Sequence, residues 1–371
     1  MTYLDYNATS PLRPSVRAAM EALGDAPLNP ASVHASGRAA KKLLEDARAT
    51  IASALSAFPN EVLFTASATE ANNMVLRAFA HERTLLVSAV EHASVAKTAA
   101  LLGGAVIPVD SQGLVQLDAF EAQLKNLGLH NHALISVMLA NNETGAIQPI
   151  ADIVAIARKY GALVHCDAVQ ALGKIPLDWG LLGVDMLTIC AHKAGGPVGV
   201  GALLIRNDLP IKPLLTGGGQ ELGRRAGTQN IPAIIGLAAL VKEVAHCPEA
   251  AQWLEWREWL AAQIQRVAPE AKIFGLNAAR LPQTLCISMP GVKSETQIMN
   301  FDLAGFAVSA GSACSSGRIV ASHVLLAMGV APEIAETAIR ISWGWATTRG
   351  EIEAFAKAWE TTYLRITRKA A

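Results

Sequence analysis

The chain has 371 residues, 51% of them hydrophobic and 17% charged, with 31 basic side chains balanced by 31 acidic ones. That is enough apolar material for a large core or two domains, and zero net charge gives neither a nucleic-acid footprint nor an electrostatic membrane anchor. The five cysteines, Cys166, Cys190, Cys247, Cys286 and Cys314, are odd in number, widely spaced and free of any Cys-x-x-Cys, so neither a disulfide framework nor an intrinsic metal site is expected, and a reduced, cytoplasmic protein is the default.

The opening run Met1-Thr2-Tyr3-Leu4-Asp5-Tyr6-Asn7 has no basic region followed by an apolar one, so no secretory leader is expected and Asn7-Ala8-Thr9 reads as a chance sequon. From residue 60 the pattern alternates. Strands are predicted at 61–67, 84–90, 105–110, 132–140, 162–169, 185–190 and 200–206, and helices at 69–81, 94–103, 117–127 and 150–160. Apolar strands alternating with amphipathic helices predict an α/β fold with a mostly parallel sheet covered on both faces. The apolar stretch near 231–241 contains Pro232 and is too short to span a bilayer. Two helical stretches run through 267. Shorter elements follow at 284–289, 295–303, 307–310 and 339–343, and a last helix begins near 350. This predicts a large domain over 15–255 and a smaller α+β domain built from 1–14 and 256–371.

Ligands of open parallel sheets lie beyond the carboxyl ends of the strands. The segments predicted there are polar: Ser67-Ala68-Thr69, Glu91-His92, Asn141-Asn142-Glu143, Asp167-Ala168-Val169-Gln170 and His192-Lys193. A lysine at the end of a buried strand is poorly solvated, which lowers its pKa and frees a nucleophilic amine. A strand-end lysine that snorkels to water is the competing reading of Lys193. Asp167 at a buried strand end needs a cation, which a protonated pyridine supplies; an ordinary N-cap is the alternative. His92 suits ring stacking and proton transfer, or is a satisfied loop histidine. Ser67-Ala68-Thr69-Glu70 opens a helix and suits a phosphate, or is a simple Thr69 cap. Together these groups meet the demands of pyridoxal phosphate. No complete Gly-x-Gly-x-x-Gly follows a strand, so a dinucleotide site is a poor fit. Small residues surround Cys314 in Ser309-Ala310-Gly311-Ser312-Ala313-Cys314-Ser315-Ser316-Gly317, which marks it as an accessible candidate nucleophile, unlike Cys166 and Cys286 within apolar strands.

Nearly end to end, the chain resembles the cysteine desulfurases, in the class V aminotransferase group of fold-type I pyridoxal-phosphate enzymes. The resemblance is carried by Tyr3-Leu4-Asp5-Tyr6-Asn7-Ala8-Thr9, Asn29-Pro30-Ala31-Ser32-Val33-His34, Phe64-Thr65-Ala66-Ser67-Ala68-Thr69-Glu70-Ala71-Asn72-Asn73, Glu91-His92, Asn141-Asn142-Glu143-Thr144-Gly145, Asp167-Ala168-Val169-Gln170, Ala191-His192-Lys193, Gly217-Gly218-Gly219-Gln220-Glu221, the Cys314 loop and Arg340-Ile341-Ser342. The Ser-Ala-Cys-Ser-Ser form of the loop is similar to the NifS/IscS-type branch.

The resemblance implies a large domain with a seven-stranded sheet and a homodimer that converts L-cysteine to L-alanine. It implies that Lys193 forms the imine with pyridoxal phosphate and moves the Cα proton, that Asp167 pairs with the pyridinium nitrogen, and that His92 stacks on the ring. Gln170 and Asn141 or Asn142 bond the ring hydroxyl in this reading, the family pattern favouring Asn141. Ala68, Thr69, Cys190 and His192 hold the phosphate, with Thr228 given by the second subunit. Arg340 and Asn141 bind the substrate carboxylate. Cys314 takes the sulfur as a persulfide, passes it to a sulfur acceptor or iron–sulfur scaffold protein, and stands as a transient iron–sulfur ligand.

The sequence departs from the family pattern at Cys190, where serine is usual, at Ala194-Gly195-Gly196-Pro197-Val198, where an aromatic and a basic residue are common, and at Trp345, where a basic residue is common. A selenocysteine lyase, an aminotransferase-like relative and a non-catalytic sulfur-relay scaffold remain as alternatives.

Overall fold

The structure, a computed structural model, describes residues 1–126, 128, 132–311 and 321–370, the side chains of 367–370 excepted. A two-residue strand β1 (Thr2–Tyr3) comes first. The main sheet is built from β2 (Val62–Thr65), β3 (Thr84–Ser88), β4 (Ala105–Ile107), β5 (Ala133–Met138), β6 (Leu163–Asp167), β7 (Met186–Cys190) and β8 (Gly201–Ile205). Its order is β2-β8-β7-β6-β5-β3-β4. The β8 strand is antiparallel to both neighbours, and the remaining pairs are parallel.

Every residue of β5, β6 and β7 is buried, as expected when helices cover both faces. Alternate side chains feed two different cores. Leu85, Val87, Leu134 and Leu203 pack with Met74 and Val75 of helix Ala68–Phe79. Leu86, Ile135, Ala202 and Leu204 face the opposite side, with Leu44 and Ile51 of helix Ala35–Ala54 and Leu237 of helix Ile231–Val244. The period-two alternation of strand side chains produces this division.

Helices Pro14–Glu21 and Ala35–Ala54 lie before the region where periodicity predicts elements. The buried stripe of the longer one includes Gly37, Ala40, Ala47 and Ala52, so its contrast with the exposed face is weak in sequence. Gly37 is required there, because a Cβ would fall on the Ser32 carbonyl oxygen.

A separate core gathers Trp253, Trp256, Leu260, Ile287, Phe301, Ile341, Trp343, Phe355 and Trp359. It is framed by helices Ala250–Val267, Ser294–Leu303 and Arg349–Ala370 and by strands β9 (Thr284–Ser288), β10 (Phe306–Ala307), β11 (Ser309–Ala310) and β12 (Ala338–Ser342). The last four do not form one sheet: β11, β12 and β9 pair antiparallel, while β10 pairs in parallel with β1. The N-terminus is thus sewn into the C-terminal core, with Leu4 fully buried in it. The Ser342 amide donates to Leu4 O at 2.9 Å, and the Asn7 amide donates to Ser342 Oγ at 2.9 Å. Those bonds deliver residues 5–9 to the carboxyl edge of the main sheet. No helix among the described residues is long and apolar enough to cross a membrane.

Candidate active site

Strands β2, β3, β5, β6 and β7 all end at one edge of the sheet. Beyond that edge lies a cavity of about 420 Å³, within the range of small-molecule sites. The wall combines strand ends (Asp167, Cys190), helix starts (Ala68, Thr69, His92) and the N-terminal segment (Asn7, Ala8) with Arg340 of β12 and Gly311.

Lys193 follows β7 and points its amine at two main-chain carbonyls, Asn7 O at 2.8 Å and Ala8 O at 2.9 Å. Burial lowers its pKa, with the Arg340 charge acting in the same direction and Cys190, Asp5 and Asp167 opposing it. No carboxylate bonds directly to this amine among the described residues, and the lowered pKa favours its neutral, nucleophilic form relative to a free lysine.

Asp167 closes β6. Its Oδ2 accepts from Asn72 Nδ2 at 2.7 Å, and its Oδ1 accepts from the Val169 amide at 3.0 Å. Neither bond comes from a cation, and burial raises its pKa. Asn72 sits on the inner face of helix Ala68–Phe79 with 1% exposure. His92 caps helix Ala93–Leu101, with Nδ1 near Ser94 Oγ at 2.8 Å and the Ser94 amide at 3.1 Å. Burial lowers its pKa, with the nearby Asp167 acting in the opposite direction.

The cap of helix Ala68–Phe79 is Ser67, whose Oγ accepts from the Glu70 amide at 3.1 Å while Glu70 Oε2 accepts from the Ala66 amide at 2.8 Å. With Ser67 as the cap, Thr69 stands at the second helical position with its hydroxyl outside the cap. The Ala68 and Thr69 amides belong to the first turn, where no helical carbonyl is available, and they open toward the cavity. His192 lines the same end, with its pKa lowered to about 4 by burial. Cys190 is also there, and burial pushes its thiol up to about 11. Close packing at this corner requires Gly201, since a Cβ would approach Ile189 O to 2.9 Å and the Ser67 carbonyl carbon to 3.0 Å.

Arg340 is 5% exposed. It donates to Asp5 Oδ1 at 2.5 Å and to Asn142 O at 3.0 Å, and its buried Nε has no partner among the described residues. Gln170 lines the cavity with its Nε2 donating to Asn7 O at 3.0 Å.

Two expected residues fall elsewhere. Asn141 does not line the cavity: its Oδ1 accepts from the amides of Glu143 and Thr144, each at 2.9 Å, and its Nδ2 donates to Val90 O at 3.0 Å. The neighbour Asn142 reaches the cavity instead. The inward residue of the pair is set by the turn that Asn141 itself builds. Thr228 is exposed and outside the cavity wall of its own chain. Cys314 lies outside the described residues. Asn7 and Ser94 also line the cavity. Asn7 is placed there by its bonds to Ser342 and Thr284 of the C-terminal strands.

The model of the aminotransferase class-V family matches residues 2–355. The chain belongs to that family. It is 38% identical to the "Cysteine desulfurase IscS" of Dictyoglomus turgidum over 364 residues, covering 94% of this chain and 91% of that protein. It is 39% identical to the "Cysteine desulfurase" of Cereibacter sphaeroides, covering 95% and 92%. Among solved structures it is similar to a NifS-like protein from Rickettsia africae, with a TM-score of 0.90, 38% identity and coverage of 98% and 99%. It is also similar to SspA in complex with cysteine, at a TM-score of 0.78, 30% identity and coverage of 92% and 98%.

The family uses pyridoxal phosphate, and the residues present fit it. One end of the cavity offers helix-start amides and a hydroxyl to a dianion. Asp167 is a buried carboxyl bonded only to neutral donors, which suits a pyridinium N–H. Lys193 brings an amine and Arg340 a guanidinium to the same wall.

Proposed function

We infer that this protein is a pyridoxal-phosphate-dependent cysteine desulfurase, which takes sulfur from L-cysteine and releases L-alanine. The observation that carries this reading is the meeting of Lys193, Asp167 and Arg340 in one cavity, each with a buried group suited to one part of the cofactor or of an amino acid. Relatives named as cysteine desulfurases at 38–39% identity over nearly the whole chain support it.

When bound, the cofactor supplies an electron sink for the pair left at Cα. Ala68, Thr69, His192 and Cys190 would hold its phosphate, Asp167 would keep its ring nitrogen protonated, and His92 would stack on the ring, with Gln170 and Asn142 as the side chains for its ring oxygen. Arg340, whose guanidinium reaches the cavity wall, takes the substrate carboxylate. The Lys193 amine, whose pKa burial lowers, holds and returns the proton of the substrate Cα. The Cys314 thiolate attacks the substrate sulfur. An S–S bond forms, the C–S bond breaks, and the departing electron pair stays on the substrate carbon and is protonated to the methyl group of alanine. The sulfur stays on Cys314 as a persulfide.

The further parts of the proposal are a homodimer in which Thr228 reaches the partner's phosphate end, a sulfur acceptor or iron–sulfur scaffold protein that receives the persulfide, with Cys314 as a transient iron–sulfur ligand, and a cytoplasmic location. The exposure of Thr228 outside its own cavity supports the first. The division into 15–255 and 1–14 with 256–371 is supported by the separate tryptophan-rich core, although helix Ala250–Val267 runs across residue 255.

The test is alanine released from L-cysteine by purified protein with added cofactor and a thiol reductant. Wild type should release alanine and carry persulfide sulfur, while Cys314→Ser should bind cofactor and release none. Alanine from neither protein would refute the activity; equal alanine from both would remove Cys314 from it.

A further inference from the structure

Lys174 lies behind the cavity and takes no part in the proposed reaction. It is 3% exposed, and its amine donates to only two groups among the described residues, Asn7 Oδ1 at 3.1 Å and Gln170 Oε1. A buried lysine without a carboxylate is costly, and its usual answer is to lose its charge. Burial holds this one well below the ordinary lysine value, and the charged and titratable groups that bear on it are Lys193, Cys190, Arg340 and His192. Protonated or neutral, the amine still has N–H donors for two oxygens.

Those two donated bonds have a consequence for Gln170. The two ends of a glutamine amide are nearly isosteric, and their assignment follows from the partners. Asn7 O is a main-chain carbonyl that can only accept, so it takes the Nε2 end of Gln170, and the Lys174 amine donates to the oxygen end and holds it there. The Nε2 end is then directed to Asn7 O at 3.0 Å and the cavity. The same amine claims Asn7 Oδ1, leaving Asn7 Nδ2 to donate to Thr284 Oγ1 at 2.9 Å and Asn142 O at 3.2 Å. Asn7 O in turn accepts from Lys193 Nζ at 2.8 Å. One buried lysine therefore holds the oxygen ends of both Asn7 and Gln170, while carbonyl acceptors take their N–H ends.

We propose that Lys174 is a positioning residue that locks the Gln170 side chain with its N–H donors, rather than its oxygen, toward the cofactor's ring oxygen. The inference rests on the placement of the cofactor given above. A donor at that oxygen stabilises its anion and lowers the pH at which the bound cofactor changes protonation. A flipped amide would present an acceptor and do the opposite.

The experiment is a pH titration of the visible absorbance of the holoenzyme without substrate, with thermal melting of each variant as a folding control. Lys174→Met should bind cofactor and shift the absorbance midpoint up by about one pH unit. Lys174→Gln, which keeps a donor but loses the amine, should stay near wild type. In a Gln170→Ala background, Lys174→Met should no longer move the midpoint, because the group through which it acts is gone. An unmoved midpoint in Lys174→Met, an equal shift in Lys174→Gln, or a shift that survives in Gln170→Ala would each overturn the role. If Lys174→Met does not fold, Gln170→Glu reads the arrangement from the other side. A carboxylate held by Lys174 presents an oxygen to the cavity, so its midpoint should rise above that of Gln170→Ala, and equality would overturn the proposal. A wild-type protein that takes up no cofactor would refute the placement of the cofactor itself, whereas bound cofactor with unmoved midpoints refutes only Lys174.

Discussion

Replacing Glu91 with glutamine should make the cofactor-free protein more stable, and increasingly so as pH rises from 5 to 8. Glu91 is fully buried just beyond the end of the β3 strand. Its Oε1 accepts from Ser88 Oγ and from the Met138 amide at 2.8 Å, while Oε2 has no partner among the described residues. Burial, with Asp167 adding in the same direction, raises its pKa from 4.5 to about 8. The folded state therefore keeps a proton that the unfolded chain gives up above about pH 4.5. Stability is fully present below that value, falls as pH rises, and levels off once the folded carboxyl itself ionises near 8.

At about 1.4 kcal/mol per pH unit the whole span is worth about 5 kcal/mol as an upper bound. For a chain of this length that corresponds to roughly 6 °C in melting temperature. Glutamine keeps the Oε1 acceptor and never ionises, so it abolishes this slope. The assay is thermal melting of the apoprotein, wild type and Glu91→Gln, at pH 5, 6, 7, 8 and 9. The two should nearly coincide at pH 5 and diverge up to pH 8, with the variant higher. Parallel melting curves across the range would refute the buried, protonated state of Glu91. That state matters to the site because an ionised Glu91 would place a second buried negative charge beside Asp167.

Arg340→Lys should raise KM for L-cysteine by about 10- to 100-fold with a smaller loss in kcat, since lysine cannot keep Asp5 and Asn142 and still offer a fork to a carboxylate; steady-state alanine release separates the two constants, and an unchanged KM would place the carboxylate elsewhere. Cys190→Ser should tighten cofactor binding by about 3- to 10-fold, because a hydroxyl is a better donor than a protonated thiol; titration of the apoprotein with pyridoxal phosphate checks this, and an unchanged Kd would mean that residue 190 does not reach the phosphate. Gly311→Ala places a Cβ on Glu143 Oε2, which is also bonded to Ser322 Oγ. Cofactor absorbance should survive while alanine release falls by about tenfold or more, an effect of about 1.4 kcal/mol or above on the barrier, and normal turnover would show that this contact does not set the geometry between cavity and Cys314.

Local pattern determined a great deal about this protein. Continuous apolar runs such as β5 and β6, separated by helices with a clear apolar stripe, announce a parallel sheet because burial on both faces leaves no other solution. Lys193, Asp167 and His92 were legible because polar groups at the carboxyl ends of such strands must meet in one crevice. The part a residue plays in a turn was less legible. Ser67 rather than Thr69 caps its helix, and Asn142 rather than Asn141 faces the cavity, because capping and turn bonds choose between neighbours of like chemistry. The least legible features depend on residues far apart in sequence. Asn7 reaches the site through hydrogen bonds to Ser342 and Thr284, more than 270 residues away. Lys174 acquires its role only from Gln170 and Asn7 meeting around it. Periodicity reports which face of an element is buried, but which buried polar groups meet is decided by the pairing of β1 with β10 and β9 with β12, and that exists only in the folded chain.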